Sequence, residues 1–305
     1  MSSHSFSAHA AEEDTRNELI KVYVNGALLP KQEAVVSVYD SGFMLGDGIW
    51  EGLRIYDGKI AFLDDHLDRL YASAKVLDFE LDLTREEITQ ALYNTLAENG
   101  MTHDAHLRLM VTRGRKKHPF QDPKLSVFGT TTVIIAEHSK PSTVVLENGM
   151  SLFTVHIVRG QPNGQDPKLN SHSKLNCITA LTHAQKAGAD EALMLDPQGF
   201  VATCNSTNFF FVRKGEVWTS TSKYCMNGIT RQKVIDVCKQ NGIPVHETDF
   251  SLFDVYAADE AFVTGTFGGQ TPVVKIDGRL VGDGKPGPMV ARIRQLYKDL
   301  IKQTS

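Results

Sequence analysis

Asn176 to Asp196 reads NCITALTHAQKAGADEALMLD. Asn176 to Ala187 spaces its apolar side chains as a helix does, and Gly188 stops it. Glu191 to Leu195 is a short apolar run of strand length, turned by Asp196-Pro197-Gln198-Gly199. A helix feeding a strand that then turns back is not strict strand–helix–strand alternation. The same mixture continues downstream. Asn208 to Val212 and Glu216 to Thr219 flank Lys214-Gly215, and Ile229 to Gln240 reads as a helix closed by Asn241-Gly242. Ala261 to Thr264 and Val273 to Ile276 are strands, and Pro288 to Gln303 is a closing helix.

Upstream, Asn25-Gly26 and Asp57-Gly58 sit between strand-like runs and predict two hairpins. Asp64 or Asp65 is placed to cap a helix whose face carries Leu67, Leu70, Tyr71 and Ala74. Thr84 and Glu87 make a capping box for a helix ending near Gly100. His106 to Thr112, Thr130 to Ala136 and Ser151 to Val158 follow as strands. The fold class expected is α+β with mixed sheets. Glu137 to Thr143 is polar and holds Pro141, which marks a linker. The expected division is a flexible tail over 1–18, a small N-terminal α/β domain over 19–136, a linker over 137–145 and a larger C-terminal mixed-sheet domain over 146–305.

The chain has 305 residues, 41% hydrophobic and 22% charged, enough to bury a sizeable core. A net charge of −4 gives no electrostatic reason to expect nucleic acid. No apolar stretch approaches the ~18 residues of a membrane span, and the polar start lacks a signal peptide's apolar middle. Cys177, Cys204, Cys225 and Cys238 have neither metal-ligand spacing nor the density of a disulfide framework. Free thiols, a cytoplasmic location and no metal are expected.

Five segments carry chemistry. In Asn227-Gly228-Ile229-Thr230-Arg231 a glycine precedes a helix, so the first amides and the Thr230 hydroxyl form an anion cradle, although an ordinary helix cap has the same look. Thr264-Gly265-Thr266-Phe267-Gly268-Gly269 follows a strand with small hydroxyl-bearing residues that let a ligand approach the backbone. Lys174, in Asn170-Ser171-His172-Ser173-Lys174-Leu175-Asn176, is flanked by small polar residues just before a helix. A lysine in a cleft can lose its proton and attack a carbonyl, while an isolated lysine is ordinarily a solvated one. Trp50 and Arg54 end Gly46-Asp47-Gly48-Ile49-Trp50-Glu51-Gly52-Leu53-Arg54, and Arg69 lies on a helix in His66-Leu67-Asp68-Arg69-Leu70.

As an ordered set, these segments resemble the fold type IV, or class IV, aminotransferases that use pyridoxal 5′-phosphate (PLP), along about Val22 to Ile301. The motifs similar to the branched-chain and D-amino acid members are FxxGDGxxEGLR at Phe43 to Arg54, HLDRL at His66 to Leu70, GADEALMLD at Gly188 to Asp196, NGITR at Asn227 and TGT at Thr264. The resemblance implies that Lys174 forms an imine with the PLP aldehyde and carries a proton, and that Arg69, Ile229, Thr230 and Thr266 hold the phosphate. It also implies a homodimer with small-molecule amino acid and 2-oxo acid partners, transferring amino groups.

Two departures from the family pattern stand out. The relatives' lysine precedes the aspartate of the GxDEAL stretch by about 20 residues, whereas Lys174 precedes Asp190 by 16. An ungapped match puts Asn170 there, and Lys168 lies two residues further back. Lys174 is preferred because Leu175-Asn176 fits the family's helix start. Second, matching Asn208 to the family asparagine puts Thr203 where relatives place a glutamate against the pyridine nitrogen. A hydroxyl makes only a neutral hydrogen bond, so the electron sink is shallower. That keeps a PLP lyase, similar to the aminodeoxychorismate lyases, as the alternative.

For the substrate, the resemblance to branched-chain enzymes points to Arg108 as carboxylate partner, and that to D-amino acid enzymes points to Lys116 and His118. A solvated basic loop is the ordinary reading of the same residues. Trp50 and Phe267 suit an apolar side-chain pocket, which favours branched-chain or other hydrophobic amino acids of either hand.

Overall fold

The computed structural model describes residues 7–9, 11 and 13–304, so the parts of the expected tail at 1–6, 10 and 12 lie outside the described residues. The chain divides into two compact units. The first in sequence comprises Glu12–Lys140 and Leu169–Lys174, with the last two residues; the second comprises Met1–Ala11, Pro141–Lys168 and Leu175–Gln303.

In the first unit, β1 (Lys21–Val24), β2 (Ala27–Pro30), α1 (Ser41–Leu45), β3 (Gly48–Tyr56), β4 (Lys59–Ile60), α2 (Leu63–Val76), α3 (Arg85–Glu98), β5 (Ala105–Thr112) and β6 (Thr131–His138) follow in order. The strands form an antiparallel sheet in the order β2-β1-β6-β5-β3-β4. Asn25 and Asp57 adopt positive φ ahead of their glycines, the backbone that two-residue hairpins require. Ile49, Leu53, Leu107, Leu109, Val111 and Ile134 cover one face of the sheet and pack with Leu67, Leu70, Ile88 and Leu92 of the helices. Each such side chain contributes about 1.5–3 kcal/mol by leaving water. The alternate residues put Trp50, Arg108 and Met110 on the opposite face.

The second unit holds α4 (Thr143–Asn148), β7 (Met150–Val155), α5 (Leu175–Lys186), β8 (Glu191–Leu195), β9 (Val201–Cys204), β10 (Asn208–Arg213), β11 (Glu216–Thr219), α6 (Ile229–Gln240), β12 (Val245–Glu247), α7 (Leu252–Tyr256), β13 (Glu260–Gly265), β14 (Gly269–Ile276), β15 (Arg279–Leu280) and α8 (Pro288–Thr304). Its sheet runs β12-β11-β10-β13-β14-β7-β8-β9, with β15 beside β14. The β14–β7, β7–β8 and β11–β12 pairs are parallel and the others antiparallel. Phe209-Phe210-Phe211 of β10 is buried on both faces. Phe210 stacks on Phe262 at 4.9 Å, whereas Phe211 meets Phe250 at 4.9 Å. A continuous apolar run, rather than an alternating one, is what a strand covered on both sides needs.

Several local readings change. Neither Asp64 nor Asp65 caps α2: the cap is Phe62, in the left-handed region and without a side-chain bond. The two carboxylates lie in the first turn, where the exposed amides and helix dipole favour them. The Thr84–Glu87 capping box forms on both sides. Glu137 and His138, read as linker, extend β6, and Thr143 opens α4. His138 stays in the sheet because its amide donates to Asn17 Oδ1 at 2.8 Å while Asn17 Nδ2 donates back to its carbonyl. That exchange also anchors the end of the expected tail, whose residues 15–18 form a short helical turn. The tail's Ala8 is buried in the second unit's core.

Candidate active site

In the second unit, three expected segments converge. Thr203 lies on β9 and is buried, and its hydroxyl donates to the Thr207 carbonyl at 2.8 Å. Glu191 fixes the turn between β9 and β10: its Oε1 accepts from Ser206 N, Ser206 Oγ and Thr207 Oγ1 at 3.1, 2.6 and 3.0 Å. Asn208 opens β10 directly opposite Thr264 of β13. Its amide donates to the Met226 carbonyl at 3.0 Å, and its Oδ1 occupies the space a side chain at Gly228 would need. Gly228 is the residue before α6, and no side chain caps that helix. The first amides of α6 therefore keep the unsatisfied donors that attract an anion. Thr230 is buried beside them, and Thr266 and Phe267 make the turn from β13 to β14. Thr264 Oγ1 is buried without a partner among the described residues. These donors suit a phosphate.

Thr203 suits the pyridine end less well. With its proton already given to Thr207, its oxygen can accept from a protonated ring nitrogen but cannot balance that nitrogen's charge.

In the first unit, Glu51 is 1% exposed; its Oε1 accepts from Arg69 Nε at 2.8 Å and its Oε2 from Arg69 Nη2 at 2.6 Å, with His66 Nδ1 at 2.7 Å from that same Oε2. Burial alone would raise the Glu51 carboxyl, but Arg69 and His66 outweigh it and hold it below the usual carboxylate value. His66 and Arg69 meet one carboxylate because residues three apart share a helix face. Trp50 points to the other side of β3. The Arg108 guanidinium lies 3.9 Å from the centre of the Trp50 ring, a cation–π stack. Surrounding protein strips part of its hydration and lowers its pKa.

The segment before α5 is sewn to the start of β3. Trp50 N donates to the Asn170 carbonyl and His172 N to the Gly48 carbonyl, both at 2.9 Å. Ser171 bridges Ile49, and Trp50 Nε1 donates to the Ser171 carbonyl at 3.1 Å. Asn170, 2% exposed, donates its amide to the Trp50 carbonyl at 2.6 Å. Lys174 is half-buried immediately before α5, and Lys168 is exposed in the second unit. Lys116 is 2% exposed, with its ammonium donating to the Asp122 carbonyl at 2.9 Å inside its own loop, and His118 of that loop is exposed. No hydrogen bond or ring contact among the described residues joins His118 to Arg108.

Three residues escaped the sequence reading. Arg159, 7% exposed, donates to Cys177 Sγ at 2.8 Å and has no carboxylate partner among the described residues. Glu51 was legible as part of a motif but not as the partner of Arg69. His172 sat inside a quoted segment, and nothing in the sequence marked it as half-buried with an enclosed Nε2.

The comparisons with known proteins place the family and the fold. The amino-transferase class IV family matches residues 48–276, and the chain belongs to that family. Among relatives, branched-chain-amino-acid aminotransferase-like protein 2 of Arabidopsis thaliana is 42% identical over 93% of this chain and 51% of its own length. The D-alanine aminotransferase of Listeria monocytogenes serotype 1/2a is 35% identical over 92% of this chain and 96% of its own. The chain spans about half the length of the Arabidopsis relatives it matches. Among solved structures, the branched-chain amino acid aminotransferase of Escherichia coli has a TM-score of 0.88 at 27% identity, covering 94% of this chain and 96% of that one. A second branched-chain amino acid aminotransferase, from T.th. and with pyridoxamine 5′-phosphate, has a TM-score of 0.87 at 31% identity, covering 94% of this chain and 95% of that one. The fold is that of these enzymes, a mixed α/β chain with two sheets, and no described helix is long and apolar enough to cross a membrane.

Proposed function

We propose that the chain is a PLP-dependent aminotransferase that moves an amino group from a branched-chain or other hydrophobic amino acid to a 2-oxo acid. The observation that carries this reading is the convergence of the uncapped α6 N-terminus, Asn208 and the Thr264–Thr266 strand end in a chain of the class IV family. When bound, PLP supplies an aldehyde for the substrate's amino group and a ring that withdraws electrons from the Cα–H bond.

The chain's residues would divide the remaining work. The Ile229 and Thr230 amides, with Thr266, hold the phosphate; Arg69, which the resemblance also assigns to it, is oriented by Glu51 in its own unit. The Lys174 amine takes the α-proton. Arg108 binds the carboxylate, with Lys116 and His118 as the other candidates from the sequence. Trp50 and Phe267 wall an apolar side chain. Thr203 meets the ring nitrogen as a neutral acceptor. That neutral contact supports one second reading, a PLP lyase, which needs no amino acceptor. A cytoplasmic homodimer fits the same reading; a monomer that is fully active by light scattering and assay would remove the dimer.

Borohydride reduction in the presence of PLP, peptide mapping and a panel of L- and D-amino acids test the function. The expected outcome is a pyridoxyl label on Lys174 and formation of pyridoxamine phosphate that depends on the amino donor. Label on Lys168 moves the amine there. Protein that takes no label and yields no pyridoxamine phosphate refutes the reading.

A further inference from the structure

Residues 7–9, read from the sequence as part of a flexible tail, are packed into the second unit. Ala8 is 5% exposed and belongs to that unit's core, and Ala11 bridges Pro141. A Cβ at Gly268 would lie 2.6 Å from the Ala8 carbonyl oxygen, so the segment approaches the β13–β14 turn as closely as a glycine allows. His9 makes two contacts from this position. Its ring stacks on Phe267, with 6.3 Å between centres, and its Nε2 lies 3.1 Å from Ser206 Oγ.

The Ser206 contact has a fixed sense. Ser206 gives its one hydroxyl proton to Glu191 Oε1 at 2.6 Å, so toward His9 it offers only lone pairs, and the imidazole Nε2–H donates. Glu191, 3% exposed, holds Ser206 N and Thr207 Oγ1 with the same oxygen. His9 is thereby joined to a buried anchor on one side and to Phe267, itself buried, on the other. The two contacts fall on different turns. The β10–β13 ladder ends with Asn208 opposite Thr264, and the β13–β14 ladder with Gly265 opposite Gly269. The turns beyond those pairs stand side by side: a Cβ at Gly265 would meet Thr207 Cγ2 at 3.7 Å. One turn carries Thr266 and Phe267, and the other carries Thr207, whose carbonyl takes the Thr203 proton.

We propose that His9 is a positioning residue of the candidate site: it ties the Thr266–Phe267 turn to the Ser206–Thr207 turn, so that both are in shape before a phosphate-bearing ligand arrives. A short turn ending in glycines has backbone freedom to lose, and a ligand that must order it binds more weakly by that amount. A stacked ring and one hydrogen bond, both brought by a segment from outside the sheet, supply the order beforehand. The inference deepens the proposed function and rests on its phosphate site, but it does not depend on which lysine reacts.

His9 is itself exposed, so replacing it leaves the core intact. Two measurements on the full chain test the tie: amide hydrogen exchange without ligand, and fluorescence titration with PLP and with pyridoxal, the same aldehyde lacking the phosphate. In His9→Ala, exchange over Thr266 to Gly268 should quicken and PLP should bind about three- to tenfold more weakly, the size of one ordinary hydrogen bond. Pyridoxal should be affected less. His9→Gln, which returns an N–H donor at similar reach, should recover part of both changes. A segment that merely packs would lower the melting temperature in His9→Ala and leave turn exchange and PLP affinity as they were. That result, or a glutamine variant no better than the alanine one, overturns the proposal. If the unaltered chain binds no PLP but exchange at the turn still quickens in His9→Ala, the proposed function falls and the tie stands; if it binds PLP and His9→Ala binds it equally well, this inference alone falls.

Discussion

Replacing Glu51 by alanine removes the anion that holds Arg69 and His66 to the underside of β3. Both partners are largely enclosed, with side-chain exposures of 16% and 1%. Breaking a buried pair by deleting one partner typically costs about 3–5 kcal/mol, because the remaining charge is left without compensation. At roughly 3 °C per kcal/mol, the midpoint of thermal unfolding should fall by roughly 10–15 °C. Differential scanning calorimetry reads this directly, and weaker PLP retention should accompany it because Arg69 loses its orientation. Glu51→Gln should cost less, since one oxygen still accepts from Arg69. The acid limb gives a second signature. The folded Glu51 pKa lies below its unfolded value of about 4.3. Its stabilisation is therefore fully present above that value and disappears as pH falls through the folded pKa. The glutamine variant should lose less stability on acidification below about pH 4 than the unaltered protein does. A Glu51→Ala midpoint within about 2 °C of the parent, well under the shift expected from a buried pair, would show that this carboxylate does not hold the unit together.

Gly228→Ala should weaken PLP binding severalfold in fluorescence titration, because the new methyl displaces Asn208 Oδ1 from the start of α6; unchanged affinity would count against the cradle. His172 has the opposite pH sign from a salt-bridged histidine: its folded pKa, about 4, lies below the unfolded 6.5, so it withdraws stability as pH falls from about 6.5 to 4. His172→Gln should flatten urea-unfolding stability across that window, and an unaltered slope would refute the depressed value. Thr203→Glu places a carboxylate at a 3% exposed position and should lower the melting temperature without cofactor, with PLP restoring part of it and raising the ring-nitrogen pKa in a spectral titration. All four cysteines are buried, with Cys238 pushed up to about 12, so a thiol reagent should label none of them until urea is added.

Elements whose signals are local were legible in the sequence. Ile229–Gln240 and Glu191–Leu195 keep their expected bounds, and Thr84 with Glu87 forms its capping box as the spacing requires. Asp64 misled because a carboxylate in a first turn and one at a cap look alike until the backbone of Phe62 is known. The two glycine- and threonine-rich segments were legible as such; that they meet at Asn208 depends on sheet order, which no local spacing encodes. The same limit hid Asn170 and His172. The burial of Asn170 and the partial burial of His172 come from pairing with Gly48 to Trp50, more than a hundred residues earlier in the chain.

That long-range stitch has a consequence for how the protein can be taken apart. The first unit is not a continuous stretch: residues 169–174 return to it after the chain has left at Lys140. A fragment ending there would carry β3 with the Trp50 amide and carbonyl bared along a sheet margin, a template for other strands. Such a piece should clump when made alone and stay dispersed when a peptide spanning 169–174 is supplied, so it is the returning segment that shields this margin.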